Sequence, residues 1–259
     1  MSFRFVFWVM LAVLASPAVA GAAETGKAAR PTGVIELFTS QGCSSCPPAD
    51  AVFQEFATSP DFVALAYHVD YWDYLGWRDT LSHADNTERQ YSYMRAFGSR
   101  SVYTPQAVIN GRIHVNGAKR ADVMDAFDEL NNSGQGIAVD VKLRQSGDSL
   151  MIEAGGAPNA VGEAHVMLVY FGPTQRVGIG RGENKGRQVT YWNPVTGIQS
   201  AGMWHGEAAR YELPADKIPD EGGCAVLLQA VGKGGLPGSI FGAAIMRYSE
   251  AEGQEKQQK

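Results

Sequence analysis

Two cysteines stand three positions apart in Cys43-Ser44-Ser45-Cys46, a spacing that suits thiol–disulfide exchange. Such exchange needs a thiolate, because the neutral thiol is a poor nucleophile. An ordinary cysteine, with a pKa of about 8.5, is only about 3% ionised at pH 7. The first turn of a helix offers unpaired N–H groups and the positive end of its dipole. There a thiol pKa can fall to somewhere between about 3.5 and about 7.5. Cys43 is therefore assigned as the nucleophile, provided its sulfur is reachable. Cys46, one turn on, is the resolving thiol that attacks a mixed disulfide formed on Cys43. Two other readings stay open. A static disulfide would close a loop of about four residues and contribute only ~2 kcal/mol. A zinc or copper site wants about four ligands, and the chain has no second C-x-x-C and no C-x-x-H. His68 could join such a site only through the fold, so no metal ligands are assigned.

The chemistry requires a strand before the pair and a helix after it. Val34-Ile35-Glu36-Leu37-Phe38 is short, mostly apolar and followed by turn residues, as a buried strand should be. Behind the pair, Ala49, Val52, Phe53 and Phe56 fall on one helical stripe, with Pro47 and Pro48 at its start. Phe62-Val63-Ala64-Leu65-Ala66-Tyr67 supplies a second strand, so the unit implies parallel pairing. A helix is expected over 84–97, with Ser82 and Asp85 as a capping-box-like start. Asn110-Gly111 between two short apolar runs is a hairpin signal. Val123, Ala126, Phe127 and Leu130 mark a last helical stripe. Beyond it, short strand candidates recur near 137–144, 149–154, 164–171, 187–192, 209–213, 224–231 and 239–248. Gly- and Pro-containing turns separate them, a pattern that fits an all-β sandwich.

Several side chains could serve the pair. Pro105, at the head of a strand beside a C-x-x-C, is expected to be cis, which leaves the backbone at Thr104 free to pair with an extended substrate. Glu36, in an otherwise apolar strand, could relay the proton of Cys46, or could pair with a cation such as Arg112. Asp50 in the first helical turn interacts with the dipole or tempers the acidity of Cys43. Tyr71, Trp72, Tyr74 and Trp77 lie past a parallel strand, where they could form an apolar platform for a protein substrate or pack against the second half of the chain. His68 reads as a hydrogen-bonded structural histidine, and Cys224 as a buried strand residue. The polar turn 182–187 could bind an anion, dock the two halves, or simply be a charged loop.

The order strand, C-x-x-C, helix, strand, helix, Thr-Pro, hairpin, helix resembles the thioredoxin superfamily. More narrowly, Glu36-Leu37-Phe38-Thr39-Ser40-Gln41-Gly42-Cys43-Ser44-Ser45-Cys46-Pro47-Pro48-Ala49-Asp50 resembles a secreted bacterial family of thioredoxin-like proteins classed as a domain of unknown function. Tyr71-Trp72-Asp73-Tyr74-Leu75-Gly76-Trp77 and Gly182-Glu183-Asn184-Lys185-Gly186-Arg187 fit the same family. The resemblance runs from residue 32 to about 248 and implies a fold and a redox role, but no substrate. The chain departs from thioredoxin itself: no Trp precedes Cys43, and Ser-Ser replaces Gly-Pro. That leaves the redox potential open across about −120 to about −270 mV.

The remaining features bound the class of protein. Arg4, the apolar run 5–14 and Ala18-Val19-Ala20 read as a secretory signal peptide. A formal charge of −5 and the lack of a basic cluster argue against nucleic-acid binding. Three cysteines are too few and too oddly placed for a disulfide-stapled miniprotein. The expected organisation is a signal peptide at 1–20, a loose leader at 21–32, an α/β thioredoxin-like domain at 33–134, an all-β sandwich-like domain at 135–248, and a disordered tail at 249–259. The expected function is periplasmic or secreted thiol–disulfide exchange with a protein substrate and an upstream redox partner. It needs no organic cofactor, no nucleic acid and no stable membrane insertion after signal cleavage. The alternative from another class is a non-catalytic binding module or a copper- or zinc-handling protein.

Overall fold

The computed structural model describes residues 30–157, 162–216 and 221–248. The expected signal peptide 1–20 and tail 249–259 lie outside the described residues, as does the leader up to residue 29. The first sheet has the order β2-β1-β3-β4, built from β1 (Gly33–Thr39), β2 (Phe62–His68), β3 (Gln106–Ile109) and β4 (Ile113–Asn116). β1 and β2 pair in parallel, with Thr39 opposite His68. β3 runs antiparallel to β1, and β3 and β4 are joined through Asn110 and Gly111, both at positive φ. That backbone is what the Asn-Gly pair favours.

Alternation along these strands decides what each face meets. Ile35 and Leu37 of β1 and Ala64 and Ala66 of β2 face helices α1 (Pro47–Thr58) and α3 (Arg120–Asn132). Phe53 and Phe56 of α1 and Phe127 and Leu130 of α3 fill that layer. Helices this short are marginal alone, so burial of these stripes is what holds them. Each fully buried Phe or Leu contributes about 1.5–3 kcal/mol.

The opposite face carries Val34, Phe38, Val63, Leu65 and Tyr67, and it packs on Val169, Phe171, Ala225 and Leu227. These belong to a second sheet, β10-β7-β12-β13, made of β7 (Ala164–Phe171), β10 (Val195–Trp204), β12 (Gly222–Val231) and β13 (Pro237–Tyr248). The far side of β7 and β12 presents Val166, Leu168, Cys224, Val226 and Leu228 to a third layer with Leu150 and Ile152. That layer is the sheet β11-β6-β5, from β5 (Val141–Ser146), β6 (Ser149–Ala154) and β11 (Ala209–Pro214). β7 and β12 read as near-continuous apolar runs because both of their faces are buried. Burial pushes the Cys224 thiol up to about 12. A small ribbon of β8 (Gln175–Gly178) and β9 (Gln188–Tyr191) completes the set.

The expected class, an α/β thioredoxin-like domain followed by an all-β sandwich-like domain, is corrected by this arrangement. Among the described residues strands hold 42% and helices 21%, and the strands divide among four sheets. An α/β sheet has helices on both faces. Here two helices cover one face of the first sheet, and the other face is roofed by a second sheet together with α2 (Ala84–Ala96). β8 and β10 also fall where no strand is expected from the sequence. α2 starts at His83 without a side-chain cap, since the Ser82 hydroxyl donates instead to Asp79 O at 3.0 Å. Among the described residues no helix is long and apolar enough to cross a membrane.

Candidate functional site

Cys43 and Cys46 are joined as a disulfide at the start of α1, with Cys46 as its N-cap residue. The amides of Ala49 and Asp50 both donate to Cys46 O, at 2.8 and 3.1 Å. Gly42 lies against Trp72, where an added Cβ would sit 3.0 Å from the Trp72 Cβ and 3.2 Å from its carbonyl oxygen, so a side chain there would press on Trp72. The Thr104–Pro105 peptide is cis and lies beside this turn, with the Ser45 hydroxyl donating to Thr104 O at 3.4 Å. Ser45 Oγ is also 3.3 Å from Cys43 Sγ. Cys43 keeps 1% of its surface and Cys46 none, while Ser44 and Ser45 are exposed. The Cys43 sulfur, expected from the sequence to be reachable, is thus covered.

The cysteine loop is tied to the second half of the chain. Asn184 Nδ2 donates to Gln41 O at 2.9 Å and to Cys43 O at 2.8 Å. The polar turn 182–187 is therefore a clamp on the cysteine loop, through one buried amide. Removing it takes that donor from both carbonyls, leaving Cys43 O with the Cys46 amide at 3.2 Å, at about 1 kcal/mol per bond lost. Asn184→Ala is expected to speed reduction of the disulfide by dithiothreitol about five- to tenfold, followed by alkylation and mass spectrometry. An unchanged rate would mean that the turn does not govern access.

Of the aromatic segment, three residues are tied down and one is free. Trp72 Nε1 donates to Thr104 Oγ1 at 2.8 Å, Trp77 Nε1 to Gln41 Oε1 at 2.8 Å, and Tyr71 OH to Gln90 Oε1 at 3.1 Å. Tyr74 is 77% exposed. The segment frames the cysteine loop and offers one ring to solvent.

Glu36 lies on the face of β1 turned towards the second sheet, away from α1. There Arg89 Nη2 is 2.6 Å from its Oε1, and the Tyr93 hydroxyl donates to its Oε2. Arg89 of α2, not Arg112, is its cation. The carboxyl group near the cysteines is Asp50, on the helix itself, four residues after Cys46 and hence on the same helical face. Its Oδ1 accepts from the Thr39 hydroxyl at 2.8 Å, and its Oδ2 is buried without a hydrogen-bond partner. Burial drives the Asp50 pKa up to about 7, against the opposing pull of His68 and the Thr39 hydroxyl, with nearby Asp79 pushing the same way as burial. Folded Asp50 thus keeps its proton from pH 3.8 to about 7, a range in which the unfolded chain has lost it. Stability falls as pH rises through that window. A carboxyl group placed where it weakens the fold at neutral pH points to a role other than stability.

Behind Asp50 sits a second buried pair. His68 Nδ1 and Asp79 Oδ2 are 2.8 Å apart, both side chains wholly enclosed. Burial opposes the Asp79 charge, but His68 and the donated amides of Gln41 and Leu81 outweigh it and hold this carboxyl group below the usual carboxylate range. Asp79 carries no motif that would have singled it out. Asp50 did carry a signal, its spacing from Cys46. Among the described residues no group of three or more His, Cys, Asp or Glu side chains is arranged to hold a metal.

Residues 34–229, more than half of the chain, match the profile of a family described as "Protein of unknown function (DUF1223)". A crystal structure of a protein from Agrobacterium tumefaciens is similar over 86% of this chain and 96% of its own, at 44% identity and a TM-score of 0.78. HBP35 of Porphyromonas gingivalis is similar over 85% of this chain and 76% of its own, at 10% identity and a TM-score of 0.58, a likeness of fold alone. No match was found among curated proteins.

Proposed function

The chain belongs to the DUF1223 family, and on that premise we propose that its Cys43–Cys46 pair is a thiol–disulfide exchange centre for protein substrates. One observation carries this reading. The pair opens a helix, and a wholly buried carboxyl group with one unpaired oxygen stands one turn behind its second cysteine. Such a group can hold the proton that Cys46 needs when its bond to Cys43 breaks. The Ser45 contact to Thr104 O at 3.4 Å sets the Thr104–Pro105 bend beside the pair, and backbone there is what an extended substrate would pair with. The likeness to thioredoxins is proposed for this chemistry alone. We further propose an exported chain, periplasmic or secreted, since residues 1–20 read as a signal peptide and an oxidising compartment suits a disulfide. An upstream redox partner resets the pair.

Because Cys43 is covered, exchange follows a local opening in which the 182–187 turn lifts from the cysteine loop. The same burial favours a second reading, a static disulfide inside a binding module. Equilibration with glutathione separates the two. An exchange centre comes to equilibrium between about −120 and about −270 mV, whereas a structural disulfide stays oxidised to below about −300 mV.

A further inference from the structure

Two polar atoms beneath α1 are buried without a hydrogen-bond partner, Asp50 Oδ2 and His68 Nε2. Strand parity puts them on one side of the sheet. In β2, His68 follows Ala64 and Ala66, whose side chains face α1. In β1, Thr39 follows Ile35 and Leu37 on the same face and is the register partner of His68. The Thr39 hydroxyl holds Asp50, so Asp50 stands over the Thr39–His68 pair. Asp50 and His68 are close enough for their charges to interact. The imidazole is fixed in orientation: Nδ1 is bonded to Asp79, and the ring meets Tyr191 of β9 edge-on at 4.7 Å and 80°. Only Nε2 is left to give or take a proton. One acid and one base thus lie on the same side of the sheet, each without a partner and not bonded to one another, so a proton crosses between them when either side chain shifts.

We propose that His68, oriented by Asp79, is the proton partner of Asp50, and that the three form a buried line that supplies and recovers the proton needed by Cys46 when the disulfide is reduced. The inference deepens the exchange reading and rests on it. The step balances with a protein dithiol as the reductant. Its thiolate attacks Cys43 Sγ and forms a new S–S bond. The Cys43–Cys46 bond breaks, its electron pair leaves on Cys46 Sγ, and the proton of Asp50 moves to that sulfur. The second substrate thiol loses its proton to solvent and, as thiolate, attacks the substrate sulfur of the mixed disulfide, so the substrate leaves oxidised and the Cys43 thiolate is released. Asp50 regains a proton from solvent through His68, which balances the one lost by the substrate. Asp50 is the group that reaches the reacting sulfur, and His68 and Asp79 are positioning residues. The other groups that face the line are the Thr39 hydroxyl from β1 and the Tyr191 phenol from β9, whose pKa burial and the two aspartates raise.

The test is the midpoint potential of the Cys43/Cys46 pair against glutathione, read from about pH 5 to about pH 9. In the wild-type protein the slope is expected to change near the Asp50 transition, at about 7. Asp50→Asn removes the change. His68→Gln moves it upward by about one pH unit, because an opposing positive charge is gone. A change left at the same pH in His68→Gln overturns the proposal. A pair that never equilibrates with glutathione overturns the exchange reading instead. If His68→Gln does not fold, the wild-type protein decides. By NMR, the Asp50 carboxyl carbon is expected to titrate with two inflections, the mark of a coupled neighbour. A single-inflection curve refutes the coupling.

Discussion

Cys46→Ser is expected to accumulate a partner chain as a stable mixed disulfide on Cys43, while Cys43→Ser captures none and loses exchange by at least about a thousandfold, the scale on which removing a covalent nucleophile registers. The asymmetry follows from position. Cys43 precedes the helix, next to the exposed Ser44–Ser45 turn, whereas Cys46 is the N-cap residue and wholly buried. A substrate approaching from the turn meets Cys43 first. Without Cys46 no thiolate lies within reach to release the captured chain. The check is non-reducing electrophoresis and mass spectrometry of each serine variant after incubation with a disulfide-bonded, unfolded protein, whose S–S bond the Cys43 thiolate attacks with release of the other substrate thiolate. A static disulfide predicts something else: both variants lose a similar ~2 kcal/mol of stability and neither retains a partner. That outcome would sink the exchange reading.

Arg89→Met should be the most destabilising single change outside the apolar core. Arg89 is 8% exposed and Glu36 fully enclosed. The guanidinium Nε donates to Glu36 Oε1 at 2.7 Å, and its Nη2 donates to Gln229 Oε1 at 3.0 Å. It also lies over the rings of Tyr67 and Tyr93, at 5.4 and 5.1 Å from their centroids. The network ties β1, α2 and β12 together, so it joins the first sheet to the second. Removing the cation leaves a buried carboxylate unpaired, at about 3–5 kcal/mol. For a chain of this size that lowers Tm by on the order of 10 °C. Adding Glu36→Gln to Arg89→Met recovers most of the loss, because no buried charge is then uncompensated. Calorimetry of the two variants checks both statements. A loss under ~1 kcal/mol for Arg89→Met would mean that the pair is dispensable to the sheet–sheet joint.

The apolar stripe of α3 was legible because it repeats within a few turns, and Val123, Ala126, Phe127 and Leu130 are its buried residues. The Asn110-Gly111 hairpin was legible for the same reason, a backbone preference that acts over two residues. Glu36 was recognised as out of place in an apolar strand. Its partner was not recognised, because Arg89 lies on α2, a helix whose buried face is polar: Asn86, Thr87, Arg89 and Gln90. A hydrophobic-periodicity reading takes such a face for a solvated one. Asn184 was similarly hidden. Nothing in a polar turn tells which backbone carbonyls lie far back in the chain waiting for its amide.

What the sequence by itself determined about this protein is local: the spacing of Cys43 and Cys46, the helix that starts at them, the strands on either side, and the acid one turn beyond. These depend on residues within a turn or a strand of each other, where short-range preference and periodicity govern. What only the tertiary structure decided is which layer roofs the first sheet, which cation meets Glu36, that Asp79 orients His68, and that Asn184 holds the cysteine loop through two of its carbonyls. Those are pairings across the chain. They are selected by the need to satisfy every buried polar group and cover every apolar face at once, a condition that no short segment carries within itself.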